Sequence, residues 1–163
     1  FMPKEEDKAT EIASNEDNVF HFEWFPELET GHPEIDEDHK KLVELINLVS
    51  DAIEANDGDR CKKMFASFVE FAEDHFRREE VILKKIGFPK IDHHIEYHNK
   101  LLVDAHKTRD LCESAEGGLL KECFNELVGF LVDDILKGDI EFIPYMMEHN
   151  VVPSNPSLKY PKL

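Results

Sequence analysis

The chain has 163 residues, 41% of them hydrophobic, with 36 acidic residues against 19 basic ones and a formal charge of −17. That length makes one domain able to bury a real core, and no apolar run approaches the roughly 20 residues of a membrane span. The charge argues against nucleic acid and membrane as partners, because recognition of phosphate-rich surfaces rests on Lys and Arg.

Residues 1–18 are rich in Lys, Glu, Asp, Asn and Ser, which predicts a disordered acidic tail. Phe1 stands ahead of Met2, the expected natural start, and no secretory signal is visible because this end is acidic rather than basic and then apolar. Residues 19–35 place Phe20, Phe22, Trp24 and Phe25 between the turn formers Pro26, Gly31 and Pro33, predicting an arm that lays aromatics across the core.

Four helical patterns follow. The first covers about residues 36–55, with His39, Leu42, Val43, Ile46, Val49 and Ile53 on one stripe, and stops at Asn56-Asp57-Gly58. The second covers about 59–86, its stripe formed by Met64, Phe68, Phe71, His75, Glu79, Ile82 and Ile86, and ends at Gly87-Phe88-Pro89. The third covers about 90–114, with His94, His98, Leu101, Leu102, Ala105 and Leu111 inward, and breaks at Gly117-Gly118. The fourth starts near Leu119 and presents Leu120, Cys123, Phe124, Leu127, Leu131 and Asp134. From about His149 the prolines Pro153, Pro156 and Pro161 forbid a continuing helix, so residues 149–163 form a C-terminal tail. Short connections make neighbouring helices antiparallel, and the expectation is an all-α, up-down-up-down four-helix bundle over residues 19–148. Cys61, Cys112 and Cys123 are an odd set without CxxC spacing, read as free thiols in a reducing compartment, by default the cytoplasm.

Polar residues interrupt the apolar stripes at related positions. His75-Phe-Arg-Arg-Glu79 and His94-Ile-Glu-Tyr-His98 are i, i+4 pairs, which reach a common point from one helix face. His39 sits on the stripe of the first helix, and Asp134 and Asp139 close the fourth. A buried glutamate without a partner would lose several kcal/mol or take up a proton. A shared two-metal cluster of iron or zinc type satisfies all these groups at once, with a carboxylate bridging the ions.

The order of motifs resembles the hemerythrin family, most closely its bacterial single-domain branch. The resemblance rests on the stretch from Trp24 through Gly31, Asp36 and His39 to Leu42, then on His75-Phe-Arg-Arg-Glu79-Glu80, Gly87-Phe88-Pro89 and His94-xxx-His98. It covers about residues 20–145. It implies two non-haem iron ions bridged by carboxylates and an oxo group, one held by His39 and His75, the other by His94 and His98. Glu79 and Asp139 would be the bridging carboxylates. It further implies that O2, or a related small diatomic or peroxide, binds at the less crowded iron in an apolar pocket to which Leu131 and Ile135 contribute.

One position departs from that family. Its last motif is Trp-Leu-x-x-His followed five residues later by Asp, whereas this chain has Phe130-Leu131-Val132-Asp133-Asp134 and then Asp139. Asp134 replaces the fifth histidine, which would put a harder, anionic donor on the second iron and favour Fe(III). Five-residue spacing diverges by about 140° on a regular helix, so a π-bulge is expected between the two aspartates, eased by Gly138. The leading reading is a non-haem di-iron oxygen-binding protein for O2 storage, delivery or sensing. The alternatives are a di-iron oxidase or peroxidase and a metal-binding bundle without O2 carriage. Sensing would require an unidentified protein partner, since no output-domain motif is present.

Overall fold

The computed structural model describes residues 21–113 and 119–153. The tail read over residues 1–18, residues 154–163, Phe20 and the side chains of Leu120 and Ile135 lie outside the described residues. A 3-10 turn at Pro26–Leu28 leads into α1 (Pro33–Glu54), followed by α2 (Gly58–Lys85), α3 (Ile91–Glu113) and α4 (Leu119–Val132). The chain then runs through a π-helical segment at Asp133–Gly138 and a 3-10 turn at Asp139–Glu141 into the short α5 (Ile143–Glu148). No described residue is in a strand, and no described helix is long and apolar enough to cross a membrane.

Local chemistry sets the helix ends. Pro33 opens α1, where its fixed φ suits the first turn and its missing N–H is no loss. The Asp36 carboxylate turns back to accept from Thr30 N at 2.7 Å, Thr30 Oγ1 at 2.8 Å and Gly31 N at 3.1 Å, pinning the lead-in loop. Asp57 caps α2 by accepting from Arg60 N at 3.1 Å. At the far end Gly87 takes φ +76°, its N–H reaching Lys84 O while Phe88 N–H reaches Leu83 O, the paired bonds that close a helix around a left-handed residue.

α1 packs on α2 and α4, and α3 packs on α2 and α4, so the four helices close a ring in the expected up-down order. The interior holds two apolar clusters. The larger includes Leu42, Ile46, Val49, Phe68, Phe76, Leu127 and Leu131, and the smaller gathers Ile35, Leu83, Phe88, Phe142, Ile143 and Met146 beneath α5. Along α1, His39 falls between Ile35 and Leu42; along α2, Glu79 falls between Phe76 and Leu83. The polar residues therefore form a layer between two apolar lids.

Three expectations are corrected. On α2 the buried face is Cys61, Phe65, Phe68, Val69, Ala72, His75, Phe76, Glu79 and Leu83, whereas Met64, Phe71, Ile82 and Ile86 are only partly buried. Two neighbours contact α2, so its apolar sector is broader than one stripe and centred between them. On α3 Leu111 is 72% exposed rather than inward. Its neighbour Cys112 is buried and bonded to Cys123 of α4, which corrects the reading of three free thiols; only Cys61 is free. Turning Cys112 toward α4 sends Leu111, about 100° round the helix, to solvent. With that disulfide, the cysteines no longer point to a reducing compartment. In the aromatic arm, Phe22 and Trp24 pack on the larger cluster, and Phe25 is exposed.

The cysteine arrangement makes a direct prediction. Burial, and then the nearby Asp57, hold the Cys61 thiol above its usual range despite Lys62. Iodoacetamide followed by mass spectrometry should label no cysteine in the native protein, one after unfolding, and three after unfolding with reductant. Two or three labels without reductant would contradict the disulfide.

Candidate metal centre

Seven side chains from five elements meet in the polar layer, and all are essentially inaccessible: His39, His75, Glu79, His94, His98, Asp134 and Asp139. The i, i+4 pairs behave as their spacing requires, each placing both side chains on the inner face of its helix. Asp134 and Asp139 are brought to the same side by the π-helical turn at Asp133–Gly138, as the five-residue spacing demanded.

The donor atoms fall into two halves joined by Glu79. In one half, His75 Nε2 stands 3.3 Å from Glu79 Oε2 and 3.4 Å from Asp134 Oδ2. His39 Nε2 stands 3.2 Å from Asp139 Oδ2 and 3.7 Å from Asp134 Oδ2. In the other half, Glu79 Oε1 lies 2.6 Å from His94 Nε2 and 3.1 Å from His98 Nε2. Glu79 thus directs one oxygen to each half, the geometry a bridging carboxylate needs. Donors about 2.1 Å from one ion, at roughly 90–110° to each other, stand about 3.0–3.4 Å apart, close to most of these spacings.

Unpartnered atoms support the same fit. His39 Nε2, His75 Nε2, Glu79 Oε2, His98 Nε2 and both carboxylate oxygens of Asp134 and Asp139 are buried without a hydrogen bond. Each such atom costs about 1–3 kcal/mol when left unsatisfied. Imidazole nitrogens and carboxylate oxygens arranged this way suit a borderline divalent or trivalent cation of iron or zinc type.

Charge separation within the cluster is pronounced. Burial and the adjacent charges of Glu79 and Asp134 hold the Asp139 carboxyl well above the usual carboxylate range. Burial would raise Glu79 too, but the close imidazoles of His75, His94 and His98 outweigh it and hold Glu79 well below that range. Burial and the facing His75 lower His39. His75 and His98 go the other way: burial opposes their charge, yet Asp134 and Asp38 with Glu79 raise His75 well above its ordinary value, and Glu79 with Glu80 push His98 up to about 9. These opposed shifts are the signature of groups forced together in low dielectric.

A surrounding set of carboxylates was not singled out in the sequence. Asp38 Oδ2 is 3.0 Å from His75 Nδ1, and Arg78 holds the same carboxylate through two bonds of 2.9 and 3.0 Å. Glu80 Oε2 is 3.4 Å from His98 Nδ1, and Glu141 Oε2 is 3.7 Å from His94 Nδ1. By accepting at Nδ1, Asp38 and Glu80 fix the tautomer that leaves Nε2 of His75 and His98 to face the centre, whereas Glu141 stands beyond hydrogen-bond distance of His94. The available signal was positional: Asp38 and Glu80 each sit one residue from a cluster residue, turned outward.

Asp134 occupies a different half from the one expected. The resemblance implies the iron of His94 and His98; the carboxylate instead faces His39 and His75. An aspartate places its oxygens nearer the backbone than an imidazole places Nε2, so it engages the donors nearest its own turn. Leu131 is fully buried in the larger cluster, and the side chain of Ile135 is outside the described residues. The remaining histidines stay off the centre. His21 pairs with Asp51, His93 with Glu141 and His106 with Glu73; His149 stacks on Tyr145, and His32 precedes α1.

Gly138 has a different role from the one read for it. Its φ of −67° is ordinary, so the π turn does not use its conformational freedom. A Cβ there would stand 3.1 Å from Tyr97 Cε1, and Tyr97 is tethered by donating its hydroxyl to Asp133 O at 2.9 Å. Gly138→Ala should therefore destabilise by about 1–2 kcal/mol through overpacking, read as a lower urea midpoint. Pairing it with Tyr97→Leu should recover most of that loss; no recovery would place the strain elsewhere.

Comparisons with known proteins point one way. The family model described as the hemerythrin HHE cation binding domain matches residues 30–146. A bacteriohemerythrin of Clostridium acetobutylicum is 27% identical over 128 residues, covering 75% of this chain and 98% of that protein. A bacteriohemerythrin of Pseudomonas paraeruginosa is 27% identical over 114 residues, 66% of this chain and 74% of its own length. A hemerythrin-like protein of Naegleria gruberi is 33% identical over 84 residues, 52% of this chain and 66% of its own.

Proposed function

The chain belongs to the hemerythrin family, and on that premise we propose that it is a non-haem di-iron protein that binds O2 for storage, delivery or sensing through an altered ligand set. The observation that carries this reading is the cluster of seven buried donors facing one another, many without hydrogen bonds. His39, His75, Asp134 and Asp139 would hold one iron, His94 and His98 the other, and Glu79 would join them. Iron in the ferrous state supplies the electrons that reversible O2 binding needs.

The protein's own residues supply the rest. Asp38 and Glu80 orient the imidazoles of His75 and His98 from outside. Phe76 stacks on His98 with ring centres 4.0 Å apart, and Phe142 meets the edge of His94 at 5.4 Å. These apolar rings exclude water, limiting the proton access that would turn binding into turnover. The second reading, a di-iron oxidase or peroxidase, is favoured by one feature: Asp134 adds an anionic donor, which stabilises the ferric state.

Absorption spectra of the iron-loaded protein distinguish the two. A visible charge-transfer band that vanishes under argon and returns in air, over repeated cycles, is expected for the binding protein. A band that decays irreversibly in the first cycle supports the oxidase reading. Metal analysis should return near two irons per chain, and one or fewer would end both.

A further inference from the structure

We infer that Arg78 is a positioning residue of the centre: acting through Asp38, it moderates how strongly the His75 imidazole binds iron and so keeps the ferrous state within reach. The inference rests on the di-iron reading above and adds how the balance between ferrous and ferric iron is set. Three side chains stand in line. His75 Nδ1 donates to Asp38 Oδ2 at 3.0 Å. Arg78 Nε donates to the same oxygen at 2.9 Å, and Arg78 Nη2 donates to Asp38 Oδ1 at 3.0 Å. The line runs from the inaccessible imidazole through the partly buried Asp38 to the exposed Arg78. Arg78 is itself seated on Phe71, its guanidinium carbon 5.2 Å from the ring centre. Asp38 precedes His39 on α1 and Arg78 precedes Glu79 on α2, so the pair ties two helices together at the level of the centre.

A carboxylate that accepts from the outer nitrogen of a ligating histidine makes that imidazole a stronger donor, and stronger anionic donation favours Fe(III). His75 already faces Glu79 and Asp134, and Asp139 stands beside His39. A further carboxylate behind His75, left unpaired, would press in the same direction. The forked pair with the guanidinium draws on the charge of Asp38 and fixes the oxygen that His75 meets. The carboxylate behind His98 has no such brake: Glu80 stands 3.4 Å from Nδ1 and has no Lys or Arg partner among the described residues.

The test is the midpoint potential of the iron-loaded full chain, measured by redox titration, in the parent and in Arg78→Met, Arg78→Lys and Asp38→Asn. Methionine keeps an apolar stem over Phe71 and removes only the charged fork. Arg78→Met should move the balance about tenfold toward ferric iron, a fall of about 59 mV for a one-electron step. Arg78→Lys returns the charge without the fork and should fall between that variant and the parent. In an Asp38→Asn background the drop caused by Arg78→Met should vanish, because Arg78 then has no carboxylate to act through. Should Arg78→Met lose iron, the same comparison is read from Arg78→Lys, whose smaller drop must also vanish with Asp38→Asn. An unchanged or raised potential, or an equal drop in the Asp38→Asn background, would overturn the inference and leave the di-iron reading intact. Fewer than two irons per parent chain would overturn both.

Discussion

Glu79→Ala should lose at least one of the two metal ions and lower the thermal midpoint by roughly 10 °C. Among the described residues Glu79 alone has an oxygen beside a histidine of each half of the centre, Oε2 beside His75 and Oε1 beside His94 and His98. Removing one partner of a buried charged network costs about 3–5 kcal/mol because the other partners stay buried and uncompensated. In a domain of this size each kcal/mol moves the midpoint by about 2–4 °C. Glu80→Ala is the control on the same helix. Its carboxylate is 19% exposed and touches His98 only from outside at 3.4 Å, so the variant should keep two ions, bind them about 10–100-fold more weakly, and melt within a few degrees of the parent. Equal losses from the two substitutions would mean that Glu79 does not bridge the halves.

Metal removal should expose a pH dependence that the loaded protein lacks. His98, raised to about 9, binds its proton more tightly in the fold than in the unfolded chain, where its value is near 6.5. Its contribution is therefore complete below about pH 6.5 and is lost as pH rises through 9. The size is up to about 3 kcal/mol. Metal-free protein should accordingly melt about 10 °C lower at pH 9.5 than at pH 6.5. On the acid side Glu79, held well below 4.5, contributes stability above that value that disappears as pH falls through its folded one. In the loaded protein a metal replaces the His98 proton, so the alkaline loss should vanish and metal uptake should release protons. Calorimetry across pH on both forms checks this. Parallel curves for the two forms would show that His98 takes no part in metal binding.

Much of this protein was written in local sequence. The i, i+4 pairs at His75–Glu79 and His94–His98, the stops at Asn56 and Gly87, and the π-helical turn between Asp134 and Asp139 depend on spacing within one helix or on the conformational needs of single residues. Such features are legible without knowing the neighbours. So was the family, because ordered motifs over most of the chain carry it.

What depends on how helices are rotated and what faces them across the bundle was not legible. The buried face of α2 widened to take in Phe65, Val69, Ala72 and Phe76 because two helices lie against it. Cys112 found Cys123 only because packing of α3 on α4 brings their Cα atoms to 6.0 Å, a distance no cysteine count contains. The orienting carboxylates Asp38 and Glu80 look like surface charge until a histidine from another helix is placed beside them. Asp134 is the sharpest case: its position in the chain marked it as a replacement for a histidine, but which half of the centre it serves depends on the short reach of a carboxylate. Its backbone is set by the π turn, and its nearest partners come from α1 and α2.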